Sequence, residues 1–191
     1  MRSDPESSRI ALVRVAILGE FPIDLARALV VRISRRIGIG CRLDSVPLPI
    51  EIPMLEGREQ ADADRLLKRI ETQAAANEAI VALTHLDIGH PIFTHFFGRA
   101  RQNGHGALVS VARLAPEYYG LPEDHELLRR RTLLEIVHEL GHVAGLLHCD
   151  DNRCLMHFAP TVEAIDNRGH NFCAECTAAV AHELRPHLSR E

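Results

Sequence analysis

Between Val137 and Met156 the run VHELGHVAGLLHCDDNRCLM gathers three histidines, one glutamate, two cysteines and a methionine within twenty positions. Imidazoles and thiolates bind zinc-like metals, and a carboxylate beside them can move protons. His138 and His142 are four residues apart. On a helix turning about 100° per residue they stand within about 40° of each other, one turn apart on one face, so both rings can bind one ion. Glu139 follows directly and projects beside the ion, where it can take a proton from metal-bound water. Gly145 stands where the helix must stop, since glycine takes the left-handed conformation that turns the chain. That turn brings His148 round as a third ligand. Three neutral histidines leave zinc's fourth position open for water and lower the water's pKa towards neutrality. Met156 follows after a further loop, and its thioether can pack under the rings as an apolar floor.

Four of the five cysteines fall in two close pairs, Cys149 with Cys154 and Cys173 with Cys176. A disulfide framework would leave one cysteine over, and cytosolic thiols are normally reduced, so the spacing points to one tetrahedral zinc held by all four thiolates. Cys-x-x-Cys also serves redox chemistry, but no strand-to-helix context of the thioredoxin kind surrounds Cys173 and Cys176. The 46 residues after Gly145 carry few large apolar side chains. Burial alone would not stabilise them, and a metal supplies the missing constraint. Cys41 is outside the set and reads as a buried thiol near a strand start.

These groups need a scaffold. Ala11–Gly19 is short, apolar and valine-rich, as a buried strand requires. The next segment puts Leu25, Leu29, Ile33 and Ile37 on one stripe, with Pro22 near its start and Gly38 past its end, which predicts a helix. Cys41–Ile50 reads as a proline-interrupted, peripheral strand, and Glu56–Ala76 as a second helix with Leu66, Leu67, Ile70 and Ala74 inward. Glu78–Thr84 reads as a buried strand. Asn103-Gly104 suits the tight turn of a hairpin, with Phe93 to Arg99 as an edge strand. A long helix is expected from Asp124 to about Gly145, and a final one from about Ala174 to Arg185. The fold class is α/β (α+β): a mixed twisted sheet with flanking helices. The organisation is an N-terminal α/β unit at 1–145, including the active-site helix, and a small C-terminal unit at 146–191 holding the third ligand, the methionine and the cysteine site.

The run HELGHVAGLLH resembles the metzincin zinc-peptidase pattern H-E-x-x-H-x-x-G-x-x-H, with Met156 in the place of the family's Met-turn. Cys149 directly after the third histidine, Cys154 five on, Met156 two after that, and then Cys173 and Cys176 are similar to the signature of the archaemetzincins. The resemblance is specific from about Leu108 to Cys176 and looser before it. It implies a metzincin-like fold, catalytic zinc on His138, His142 and His148, Glu139 as general base, a second, structural zinc on the four cysteines, and peptide hydrolysis. In several other metzincin groups a tyrosine two residues after the Met-turn methionine assists the oxyanion; here that position is Phe158.

Composition agrees. The 191 residues are 46% apolar, with 22 basic and 26 acidic side chains mixed along the chain for a net charge of -4. This gives no broad footprint for nucleic acid or an anionic membrane. The start MRSDPESSR lacks the apolar core of a secretory signal, and no run approaches a spanning helix, so a cytoplasmic protein is expected. The expected partner is a peptide or protein substrate, bound along Phe93, Thr94, His95, Phe96 and Phe97 by the edge strand, and a monomer is expected. His85, His95, His157 and His170 lack ligand spacing and read as satisfied or solvated; His157, next to Met156, is the one placed to face the cleft. The rival class is a zinc-stabilised binding or regulatory module without turnover.

Overall fold

The computed structural model describes residues 10–181 and Leu184. The chain opens with β1 (Leu12–Leu18), then α1 (Ile23–Ile37). Gly38 ends α1 at φ 67°, its N–H donating to the Ser34 carbonyl. Ala26, Leu29, Ile33 and Ile37 are the buried stripe. Ala26 takes the place expected of Leu25, which is only partly buried. β2 (Gly40–Leu43) is short and stops ahead of Pro47 and Pro49.

β3 (Ala61–Asp62) leads into α2 (Ala63–Glu71). This helix starts seven residues later than the sequence suggested, because the Asp62 side chain accepts from the Arg65 N–H and fixes the cap there. Leu66, Leu67 and Ile70 are buried as expected, and Ala74 lies past the helix end. β4 (Glu78–Thr84) follows, then β5 (Ile88–Gly89), which pairs with β3 in a separate two-stranded sheet. β6 (Gly98–Ala100) and β7 (Gly106–Ser110) form the hairpin, with Asn103 at φ 53° in its turn.

The main sheet has the order β2-β1-β4-β7-β6, parallel except for antiparallel β6. Period-two alternation sends Val13, Val15, Val81 and Val109 to one face and Ala16, Ile80, Ala82 and Leu108 to the other. α2 covers the second face. The first carries α1 and α3 (His125–Val143), reached through a 3-10 turn at Pro116–Tyr119. α4 (Val162–Asn167), which the sequence reading did not foresee, and α5 (Ala174–Val180) complete the elements. The expected continuation of α5 to Arg185 runs into residues outside those described. Met156, Val162, Ile165, Phe172 and Val180 join the core cluster shared by α1 and α3, which fastens the C-terminal segment to the helix carrying the histidines. Among the described residues no helix is long and apolar enough to cross a membrane.

Candidate metal centre

α3 begins at Asp124, whose carboxylate accepts from the Leu127 N–H at 2.9 Å, and places His138 and His142 one turn apart. Their rings meet edge to face with centroids 4.8 Å apart and Nε2 atoms 3.2 Å apart. Gly145, at φ 97°, turns the chain as expected. His148 then lies 5.4 Å from the His138 ring and 4.9 Å from the His142 ring. One ligand atom from each of the three falls within 4.8 Å of the others. His142 Nδ1 faces the Leu146 carbonyl at 2.8 Å and His138 Nδ1 the Leu155 carbonyl at 2.9 Å. A carbonyl only accepts, so both Nδ1 atoms carry the proton and both Nε2 atoms are left free for a metal. Burial lowers the pKa of all three histidines, most strongly that of His138, where Arg168 adds to the effect. They are therefore neutral, the form that binds zinc.

Met156 is fully buried in the core cluster that α3 shares. Its sulfur lies so close to α3 that a Cβ on Gly141 would approach it to 2.5 Å. Glu139 is buried, with its carboxyl against β6, where a Cβ on Gly98 would lie 2.6 Å from Oε1. Burial, followed by the charge of Glu135 one turn earlier, holds the Glu139 carboxyl well above the usual carboxylate range against the opposing pull of Arg168 and Arg99. Glu135 is itself tied to Arg168 Nη2 at 2.7 Å, with both side chains buried. The sequence reading singled out neither. Glu135 is only one turn from Glu139, a usable signal, but nothing in the chain pairs it with Arg168 33 positions on.

The histidines open into a cleft of about 560 Å³, with Phe93 to Ala100 on one side and Leu147, His148, Phe158, Ala159 and Pro160 on the other. Phe93, Thr94, His95, Phe96 and Phe97 all line it, but they are not the edge strand; that is Gly98–Ala100. Side chains take some of the carbonyls that a strand here would use. Arg58 donates to those of His90, Pro91 and Phe93, and Gln60 to that of Thr94. Of the backbone, Phe96 N–H reaches the Ile88 carbonyl in an isolated bridge, the His90 N–H donates to the Phe93 carbonyl, and the Phe97 carbonyl accepts from the Ser110 N–H at 2.8 Å where β6 begins. His157 turns away, its Nδ1 facing the Cys149 carbonyl at 2.9 Å. His85 packs on Phe21, His170 is exposed, and His95 bonds Thr94 Oγ1 through Nδ1 at 3.1 Å on the cleft wall.

The Sγ atoms of Cys149, Cys154, Cys173 and Cys176 lie within 4.8 Å of one another, all four as free thiols. Cys154 Sγ accepts from the N–H groups of Met156 and Cys173, and Cys173 Sγ caps α5 by accepting from the Cys176 N–H. Backbone N–H groups directed at sulfur stabilise thiolate, and that of Cys176 pulls the Cys173 thiol down. Three converging imidazoles, two of them with Nε2 left free, and four converging thiols are donor sets that suit zinc. Cys41 stands apart on β2, its pKa pushed up to about 12 by burial.

A family model described as Peptidase family M54 matches residues 56–182. The archaemetzincin of Methanocaldococcus jannaschii is 36% identical over 130 residues, 66% of this chain and 71% of that protein. That of Thermococcus kodakarensis is 41% identical over 106 residues, 56% of this chain and 57% of that protein. The crystal structure of archaemetzincin from Methanopyrus kandleri superimposes with a TM-score of 0.75 at 32% identity, covering 93% of this chain and 96% of that one.

Proposed function

Because the chain belongs to peptidase family M54, and so to the zinc-dependent metallopeptidases, we propose that it hydrolyses peptide bonds with Glu139 as general base. Catalytic zinc is held by His138, His142 and His148, and structural zinc by Cys149, Cys154, Cys173 and Cys176. The observation that carries this reading is the placement of Glu139 beside three converging, neutral imidazoles at the floor of an open cleft. Zinc in such a set supplies Lewis acidity, polarising the scissile carbonyl and making water easier to deprotonate.

The protein's own groups do the rest. Glu139, which is not among the converging histidine ligands, would accept the proton of the attacking water and return it to the leaving amine. Leu155 and Leu146 carbonyls fix the two helix histidines. Among the described residues Gly98–Ala100 has one edge unpaired in the main sheet, so an extended peptide can add there, with Phe93 to Phe97 as its wall. Phe158 stands beside His148 with ring centroids 5.0 Å apart and brings no phenol to the oxyanion. The division at Gly145 belongs to the same reading, and four free thiols suit a reducing, cytoplasmic setting.

A mixed peptide library, read by mass spectrometry with and without a zinc chelator, tests this. The parent should cleave, the chelator should stop it, and Glu139→Ala should lose cleavage with both zincs in place. Near-parent cleavage by Glu139→Ala removes the general-base role. No cleavage by a zinc-loaded parent leaves a non-catalytic zinc module.

A further inference from the structure

We propose that Arg168, held by Glu135, is a positioning residue for the catalytic zinc site, acting through His138 and the loop that presents Leu155 to it. The idea rests on the zinc-ligand reading above. It begins with a pair that stability alone does not explain. Arg168 and Glu135 form a salt bridge whose side chains are 2% and 7% exposed. Desolvation offsets most of the attraction in such a pair, and apolar residues of similar size often hold a fold as well or better. The Arg168 Nε is also buried without an acceptor among the described residues. An ion pair kept under these conditions calls for a role beyond stability.

Its location supplies one. Glu135 is three residues before His138 and four before Glu139, on the inward side of α3. The guanidinium it holds places Nη1 3.0 Å from His138 Nδ1. Both nitrogens are donors, so this is packing and not a hydrogen bond; the Nδ1 proton goes to the Leu155 carbonyl on the same side of the ring. Arg168 thus occupies the space into which the ring would rotate on leaving that carbonyl. Leu155 is held in turn, its N–H donating to the Asn171 carbonyl at 2.8 Å, three residues beyond Arg168. Between them Gly169 presses on the Arg153 carbonyl so tightly that no Cβ would fit. Arg168, Gly169 and Asn171 therefore clamp one short segment against the Arg153–Leu155 loop, and Glu135 fastens the clamp to the helix bearing the ligands.

The experiment compares the full zinc-loaded chain with Arg168→Met, Glu135→Met, the double variant and Arg168→Lys. Each single Met change leaves one charge buried alone and should lower the melting temperature; the double leaves neither and should recover most of it. The positioning role predicts that the recovered double still binds catalytic zinc roughly 10- to 100-fold more weakly in chelator competition, the range for losing support behind a ligand. Its kcat should fall with KM little changed, and its cysteine zinc should stay as tight as in the parent. Arg168→Lys keeps the charge for Glu135 but cannot also fill the space behind the ring, so its catalytic zinc should weaken too. Parent-like affinity for that zinc in a stable double variant, or in Arg168→Lys, overturns the proposal. The zinc titration needs no substrate, so a parent that cleaves no peptide would count against the peptidase reading alone.

Discussion

The backbone N–H of Cys149 donates to the carbonyl of Met156 across 2.9 Å. Cys149 follows the third histidine and Met156 packs against Gly141, between the two helix histidines, so one hydrogen bond joins the cysteine cluster to the segment that packs on the ligand helix. Cys154 adds a second tie, because its sulfur accepts from the Met156 N–H. Cys154→Ser touches no histidine, yet it should lose the cysteine zinc, weaken catalytic zinc by roughly 10- to 100-fold and lower activity. Competition titration with a chelator, followed by activity at excess zinc, measures both. A folded variant that has lost its second zinc but keeps parental catalytic-zinc affinity would show the cysteine cluster to be a remote staple.

Gly98 has no left-handed backbone requirement; it is glycine because Glu139 lies where a side chain would be. In Gly98→Ala the new methyl sits within 3 Å of three carboxyl-end atoms of Glu139, which must move. Displacement of a proton acceptor by about 1 Å costs on the order of 100-fold in rate. Steady-state kinetics should show that fall in kcat, with both zincs retained and the fold unchanged by circular dichroism. An unchanged kcat would mean that Glu139 works from a position other than the one beside β6.

Much of this site was legible because local rules and global fold agree in it. Asp124 caps α3, Gly145 ends its path at positive φ, and the ligand spacing follows helical geometry, so the three histidines and four cysteines meet as their intervals suggested. Asn103 likewise turns the β6-β7 hairpin. The misreadings fall where a short signal competes with a longer pattern. Glu56–Gln60 looked helical, but Asp62 is the stronger cap, and the released residues lend Arg58 and Gln60 to the cleft wall. Phe93 to Phe97 has strand composition, yet those side chains take the Phe93 and Thr94 carbonyls, and ladder pairing with β7 begins only at the Phe97 carbonyl. α4 is six residues long, too brief for a period to register, though Thr161 caps it by accepting from the Ala164 N–H. Glu135 with Arg168 is a pairing of distant positions that only the folded chain makes.

The cleft wall can be loosened without touching the metal. Arg58 Nη1 donates to the His90 and Phe93 carbonyls at 3.1 and 3.0 Å, and Nη2 to that of Pro91 at 3.4 Å. Arg58→Ala releases all three at an exposed site, where about 1 kcal/mol is the expected scale. If Phe93 to Phe97 contacts substrate, KM should rise roughly three- to tenfold with kcat and zinc content near those of the parent. A fall in kcat at constant KM would instead assign this wall to the chemical step.

Acid stability offers a test of how α4 is latched to α3. Asp166 accepts from Arg131 at 2.9 and 2.6 Å and from Arg130 at 3.2 Å, while Arg131 is buried and also donates to the Leu114 carbonyl. Burial raises the Asp166 carboxyl, but the hydrogen bonds and charge of Arg131 and Arg130 outweigh it and hold the group below the usual carboxylate range. With its folded pKa below an unfolded value of about 3.9, the carboxylate contributes stability that is present above that value and is lost as pH falls through the folded one. Asp166→Asn should therefore destabilise the chain at pH 7, on the order of 2 kcal/mol for a hydrogen-bonded charge facing a buried arginine. The gap between parent and variant should stay constant down to about pH 4 and narrow below it. Denaturant titrations of both proteins across that range measure the gap directly, and protonation of the zinc ligands, common to the two, cancels from it. A gap that closes between pH 7 and 5 would assign the latch to a group other than Asp166.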